Sequence, residues 1–430
     1  MSTPTKRVAF HTMGCKLNYS ETSTISRDFI TRGFEKVEYR DHADIYVINT
    51  CSVTENADKE ARRLIRQAKR LNPLSSIAVI GCYAQLKPEE IAAIDGVDLV
   101  IGSEEKFNLL DHLNELDQKE DNTIIHSNIE HVHSFKPSYS IGDRTRSYLK
   151  VQDGCDYTCS FCTIPLARGK SRSGNIQTTV KTAQEVALKG VKEIVLTGVN
   201  IGDFGVGSDE NLLQLLIELD NIEGVERFRI SSIEPNLLNN DIIAFCNTSK
   251  KFVPHFHIPL QSGSNKILKG MRRRYDQTIY RKKINKILSS NSETCIGVDV
   301  MVGFPGESDE DFLETYNFIN DIDISYLHVF TYSERPDTTA KNIKKVISKR
   351  VRAERSKMLH ILSEKKRRYF YDHFINTHRE VLFESSRNGK LVGHTDNYIK
   401  VEIDNSPGLV NKIHSVRLIE NRGEFVMGEL

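Results

Sequence analysis

The sequence predicts a mixed α/β protein in three parts: an N-terminal open parallel-sheet α/β domain over 1–141, a central partial (βα)6 barrel over 142–371, and a small all-β, OB-like domain over 372–430. Three observations predict it. Short Val- and Ile-rich runs alternate with amphipathic stretches near the N-terminus, the pattern of parallel strands joined by helices. A strand-then-helix unit then recurs six times. The chain ends in short apolar runs broken by turns, as small β-barrels do. A length of 430 residues suits about three domains at roughly 150 residues each.

In the first part, RVAFHTMG, ADIYVINTC, SIAVIGCYA and VDLVIG read as strands. Residues 54–71 read as a helix, because Leu64, Ile65, Ala68 and Leu71 recur at helical spacing. Periodicity fades over 111–146, a polar stretch with Pro137 and Gly142, which sets the first boundary. The barrel strands fall at 147–151, 193–196, 226–230, 252–258, 295–301 and 326–330. Six is fewer than the eight of a closed barrel. Residues 341–370 follow as a basic helix, with 12 Lys or Arg against Glu354 and Glu364. The last part carries EVLFES, NYIKVEI, SVRLIE and GEFVMG, separated by NG, PG and RG turns.

A net charge of +1 argues at face value against a nucleic-acid partner. The average hides clustering, since the basic helix alone contributes +10 and the rest of the chain −9. No apolar run approaches the roughly 18 residues of a membrane span. The start, MSTPTKRVAF, lacks the apolar core of a secretory signal. A cytoplasmic, reducing setting is expected, where eight Cys are better read as thiols or ligands than as disulfides.

Six of the eight form two sets of three. Cys155, Cys159 and Cys162 lie in GCDYTCSFCTIP, where thiolates three and four positions apart on one loop can converge on an iron–sulfur cluster. Zinc is the competitor, but no fourth ligand sits at suitable spacing. Cys15, Cys51 and Cys82 each follow directly on an expected strand. Ligands of open α/β sheets collect outside the carboxyl ends of strands, so these three are placed to meet. Each alone would read as a small buried residue. A three-Cys site leaves one iron of a four-iron cube open, as catalytic metal sites require. Cys246 and Cys295 lack partners at ligand spacing and read as core thiols, and the HxH pairs His131/His133 and His255/His257 read as structural. His11, four residues before Cys15, reads as a strand histidine.

At CxxxCxxC on the loop after the first barrel strand, the chain resembles the radical S-adenosylmethionine superfamily. With Cys15, Cys51 and Cys82 in front and a small β-domain behind, it resembles the methylthiotransferases over essentially its whole length. TMGCKLNYSET, NTCSVTENADKEARR, GCYAQLKPEE, FHIPLQSGS, MRRRY and VFTYSERPDTTA are most similar to the group acting on N6-threonylcarbamoyladenosine in tRNA. The alternatives are N6-isopentenyladenosine in tRNA and an aspartate of a ribosomal protein. The isopentenyl group usually carries a QMN-type sequence where Lys16-Leu17-Asn18 stands here.

The resemblance implies two [4Fe-4S] clusters with S-adenosyl-L-methionine at the Cys155/Cys159/Cys162 cluster. It implies a sulfur ligand at the Cys15/Cys51/Cys82 cluster, and insertion of a methylthio group at carbon 2 of adenine. By position on the barrel rim, Gly198, Asn200, Ser232, Glu234, Gln261 and Gly303 are the expected cofactor contacts. The last segment corresponds to the RNA-binding TRAM domain, yet from Phe374 onward it holds 7 Lys or Arg against 8 Asp or Glu. The basic helix is therefore expected to supply phosphate contacts through Arg350, Arg352, Arg355, Lys365 and Arg367, joined by Arg168 and Arg172 after the cluster loop. Arg272–Arg274 and the Lys59–Arg70 helix are weaker candidates. The expected partners are a tRNA anticodon stem-loop, an electron donor and a sulfur donor, with no membrane. The distant alternative is a non-catalytic iron–sulfur RNA-binding protein.

Overall fold

A computed structural model describes residues 5–51, 55–116, 123–142 and 145–430. The chain forms two compact units, Met1–Ser140 with Tyr148–Thr158 and Cys162–Ser173, and Ile141–Ser147 with Cys159–Phe161 and Gly174–Leu430.

The first unit is built on a six-stranded sheet: β1 (Arg7–Thr12), β2 (Glu35–Val37), β3 (Ile45–Thr50), β4 (Ser76–Gly81), β5 (Leu99–Ile101) and β6 (Thr123–Ile125). Their order is β2-β1-β3-β4-β5-β6 and every pairing is parallel. Sequence reading misses β2 and β6 because each is a three-residue edge, too short to show a period. Central strands are apolar at successive positions, since both faces are covered. On one face Tyr46, Ile48, Ile77 and Val79 pack with Ala61, Leu64, Ile65 and Ala68 of α2 (Glu55–Leu71). On the other, Val8, Val47, Ala78 and Ile80 pack with Ile25 and Phe29 of α1 (Lys16–Thr31). The strand Ser147–Lys150 pairs antiparallel with Ser138–Tyr139, in the register Ser138↔Lys150 and Tyr139↔Leu149.

Within the second unit, five of the expected barrel strands run parallel: Glu193–Thr197, Arg227–Ile230, His255–His257, Cys295–Val302 and Tyr326–Thr331. Single bridges, Phe228↔Phe252 and Ser232↔His257, join the second to the third.

The basic helix spans Lys349–Asp372 and so starts eight residues later than its charge run. Ser348 caps it, accepting from Val351 N, while Thr339–Asn342 is a separate 3-10 turn. Its buried stripe includes Arg352, Arg355, Leu359, Leu362 and Tyr371. This corrects the expectation that Arg352 and Arg355 face RNA. Arg352 donates to Tyr332 O at 2.8 Å and pairs with Glu334, and Arg355 meets Glu307 at 3.0 Å and Asp309 at 2.7 Å. A buried guanidinium survives only when paired in this way.

The C-terminal strands His378–Arg387, Lys390–Thr395, Lys400–Asp404, Ile413–Asn421 and Val426–Glu429 close into a barrel. Lys390–Thr395 is absent from the sequence reading because KLVGHT holds only two large apolar residues. Val381, Phe383, Val401, Val416 and Val426 fill the barrel, and Tyr371 and Phe374 seal it from the helix end. Two arginines of the parallel sheet grip it: Arg227 donates to Glu380 O at 2.6 Å and Arg229 to Asp396 O at 3.0 Å. Arg229 also pairs with buried Glu193 at 2.9 Å. Among the described residues no helix is long and apolar enough to cross a membrane.

Candidate functional site

Three cysteines stand at three neighbouring strand ends of the first unit. Cys15 is the N-cap of α1 after β1, Cys51 follows β3, and Cys82 opens α3 (Cys82–Leu86) after β4. In the order β2-β1-β3-β4-β5 the strand order switches sides between β1 and β3, the crevice where open α/β sheets bind ligands. Glycine allows the crowding. Gly14 has φ +90°, and a Cβ there would sit 2.7 Å from the Cβ of Cys51, so the two loops abut.

Asn18 ties these loops together: its amide donates to Met13 O at 2.9 Å and Thr50 O at 3.0 Å, the carbonyls that precede Gly14-Cys15 and Cys51. Its oxygen accepts from Arg168 at 2.6 Å. Arg168 is buried, 2% exposed, and reaches Glu21 at 3.1 Å and Asp153 at 2.9 Å. Lys106 meets Glu21 at 2.6 Å, Lys150 meets Glu21 at 3.0 Å and Asp153 at 2.7 Å, and Arg172 meets Asp153 at 3.2 Å. Burial alone would protonate Glu21. Arg168, Lys106 and Lys150 outweigh it and hold the carboxyl far below its usual range.

Four cations thus face two carboxylates beside the thiols. Burial pushes the Cys82 thiol up and the Arg168 charge opposes it. A cation surplus of this kind suits an anionic sulfur-rich group. All eight cysteines are outside disulfides. Among the described residues no three His, Cys, Asp or Glu side chains close into a ready metal cage. The fit of the first set to an iron–sulfur group therefore rests on donor type, the shared crevice and the cationic backing.

The CxxxCxxC segment contributes to both units. In the first, Cys155 Sγ accepts from Tyr157 N and Cys162 Sγ from Ile164 N, each at 3.4 Å. In the second, Cys159 Sγ accepts from Arg273 at 3.2 Å, and the same guanidinium pairs with Glu234. Backbone and guanidinium N–H groups aimed at sulfur are the outer contacts that tune such clusters.

The barrel-rim residues lie at carboxyl ends of the parallel strands, where barrels gather function. Gly198 and Asn200 follow the first of them, and Asn200 donates to Asp203 at 2.8 Å. Ser232 bridges to His257. Burial raises the Glu234 carboxyl, with Arg273 opposing. Gln261 has φ +66° without being glycine, strain of the kind that clusters at ligand sites. Gly303, φ +75°, donates its N–H to Glu307, and a Cβ there would meet the Arg352 side chain at 2.3 Å.

Other expectations change. Arg168 and Arg172 are tied into the ionic network, so neither is a free phosphate ligand. Arg350 is exposed and pairs with Glu354 at 2.6 Å, Lys365 is exposed, and Arg367 donates to Gly423 O at 2.9 Å. Cys246 and Cys295 are buried, and burial pushes the Cys295 thiol up to about 12. His257 pairs with Asp299 at 2.8 Å, and His255 with the Tyr326 hydroxyl at 3.0 Å. Sequence reasoning missed Asn18, Glu21, Lys106 and Asp153, and it cast Arg273 as an RNA contact although it lies on Cys159.

Two family models match the chain: "Uncharacterized protein family UPF0004" over residues 7–102 and "Radical SAM superfamily" over 149–319. Threonylcarbamoyladenosine tRNA methylthiotransferase MtaB of Bacillus subtilis is 40% identical, with 97% of this chain and 96% of the relative covered. The tRNA-2-methylthio-N(6)-dimethylallyladenosine synthase of Rickettsia conorii is 31% identical over 99% of each. In fold, the chain is similar to the radical S-adenosylmethionine methyltransferase TsrM of Kitasatospora setae, solved with cobalamin and a [4Fe-4S] cluster. The TM-score is 0.58 at 12% identity, covering 78% of this chain and 77% of that one.

Proposed function

The chain belongs to the radical S-adenosylmethionine tRNA methylthiotransferases of the threonylcarbamoyladenosine group, and from this we propose how its residues divide the work. It is an enzyme that methylthiolates N6-threonylcarbamoyladenosine in tRNA, using S-adenosyl-L-methionine and [4Fe-4S] chemistry. Our finer reading has two clusters, one on Cys15, Cys51 and Cys82 and one on Cys155, Cys159 and Cys162. The substrate base is presented from the anticodon stem-loop, in the cytoplasm, with separate electron and sulfur donors. The domain division at 141/142 and 371/372 is part of the same reading.

Carbon 2 of adenine carries a hydrogen that is not appreciably acidic, so side-chain bases are poorly suited to removing it. When bound, the cluster and S-adenosyl-L-methionine supply radical chemistry that does not need that acidity. The protein's residues do the rest. Asn18 holds the Cys15 and Cys51 loops side by side, and Arg168 fixes Asn18 while placing positive charge beside Cys82. Arg273 orients Cys159 and keeps Glu234 charge-paired at the rim. Gly198, Asn200, Ser232, Glu234, Gln261 and Gly303 present polar groups and bare backbone to the cofactor's amino-acid and nucleoside parts.

The observation that carries this reading is the convergence of three cysteine-bearing strand ends at the sheet's switch point, backed by buried cations. Mass spectrometry of tRNA nucleosides from a deletion strain tests the substrate. The 2-methylthio derivative of N6-threonylcarbamoyladenosine is expected to vanish while that of the isopentenyl nucleoside persists. The opposite result overturns the assignment.

A further inference from the structure

Two of the five basic-helix residues expected to hold RNA, Arg352 and Arg355, are buried in ion pairs, and the C-terminal segment has an acidic excess of one. A polyanionic substrate still needs cationic surface, because phosphate contacts dominate RNA affinity. Helix α2 supplies one. Lys59, Arg63, Arg66 and Arg70 are all exposed, at spacings of four, three and four, which puts them on one helical face. The stripe spans roughly 16 Å at 1.5 Å per residue. With Lys69 and Asp95 these residues line a shallow concavity of about 610 Å³.

Two of the stripe's four charges, those of Arg66 and Arg70, are unanswered among the described residues. Arg63 is held by Glu60 at 2.6 Å, and Lys69 donates to Ser75 O at 2.9 Å. Arg66 and Arg70 have no ion pair among the described residues. Lys59/Arg63 and Arg66/Arg70 are like-charged pairs one turn apart, an arrangement that weakens an isolated helix. Its inner face is apolar and packed under the sheet through Ala61, Leu64, Ile65 and Ala68, so the outer stripe is not needed for folding. The concavity has the size of a small-molecule site, but every residue lining it is charged, unlike the mostly apolar lining of such sites. It also lacks the aromatic or aliphatic centre of a protein interface. A row of cations without apolar company suits a phosphate backbone. The helix begins four residues after Cys51, a candidate cluster ligand.

We propose that the Lys59–Arg63–Arg66–Arg70 face of α2 is a docking surface for the phosphate backbone of the substrate tRNA. The inference rests on tRNA being the substrate. The test uses the anaerobically reconstituted full chain and a fluorescent anticodon stem-loop RNA, with anisotropy read across a KCl series. Arg66→Gln/Arg70→Gln is expected to weaken binding roughly tenfold at low salt and to lower the salt slope by about 1 to 2. Lys282→Gln/Lys286→Gln removes the same charge from another exposed helix and is expected to change neither by as much. Equal effects in the two variants overturn the proposal, as does normal RNA binding by the α2 variant. Loss of binding to anionic phospholipid vesicles with RNA binding intact would assign the face to a membrane and overturn it too. If the wild-type chain itself fails to bind the RNA, the substrate reading fails first, which separates the two failures.

Discussion

At the scale of single residues, Arg168 shows how a charge serves a site without touching its ligand. Its guanidinium meets Glu21, Asp153 and Asn18 in a space closed to solvent. Removing one partner of a buried ion pair typically costs about 3–5 kcal/mol, because the other charge stays buried. Arg168→Met is expected to lower unfolding stability by about that much in urea denaturation. Arg168→Met/Glu21→Gln should lose more still, because buried Lys106 then has no carboxylate partner. The same residue marks where sequence reading stops. ARGKSRS looks like an exposed basic loop, and nothing local reveals that a carboxylate 147 positions away waits for it.

At the scale of elements, the basic helix divides its cations by face. Arg352, Arg355, Leu359 and Leu362 fall on one stripe, so the apolar periodicity of Leu359 and Leu362, extended toward the N-terminus, would have marked both arginines as inward. Net charge alone concealed this. Arg355→Met, which strands Glu307, is expected to cost about 3–5 kcal/mol of stability while leaving the RNA salt slope unchanged. Lys365→Gln, at an exposed position, should leave stability within about 0.5 kcal/mol.

The barrel's attachment to the parallel sheet carries a pH signature. Burial raises the Glu193 carboxyl, but Arg229 and then Arg146 outweigh it and bring it down to about 2 from 4.5. A carboxyl depressed on folding stabilises the protein above its unfolded value and loses that contribution as pH falls through the folded one. The loss is expected between about pH 4.5 and 2 and amounts to about 3 kcal/mol. Denaturant titrations of wild type and Glu193→Gln over that range check it. The variant should lack this part of the acid dependence.

At the scale of the molecule, the strand ends were legible because parallel strands buried on both faces leave long Val- and Ile-rich runs, and the cysteines follow these runs directly. The alternation of strands and helices marked the parallel sheet and the barrel for the same reason. The short edge β2 and the glycine-bearing barrel strand Lys390–Thr395 were not legible, since few of their residues are apolar. Two cysteine sets predict separable iron contents. Wild type should hold about eight irons per chain and either triple Cys→Ala variant about four, measured with sulfide after anaerobic reconstitution. Zinc in place of iron would contradict the assignment.

Glu21 and Lys106 lie before residue 141, while their partners Lys150, Asp153 and Arg168 lie after it. The polypeptide therefore cannot be parted where its composition changes. A fragment ending at 141 would keep one buried lysine against Glu21 and lose the guanidinium that steadies Asn18. One extended through Ser173 would carry the whole network. Chimaeras that exchange the N-terminal region between relatives should accordingly be joined after 173 and not at 141. Soluble expression of the two kinds of graft, side by side, would show that the heritable module is longer than the domain it encloses.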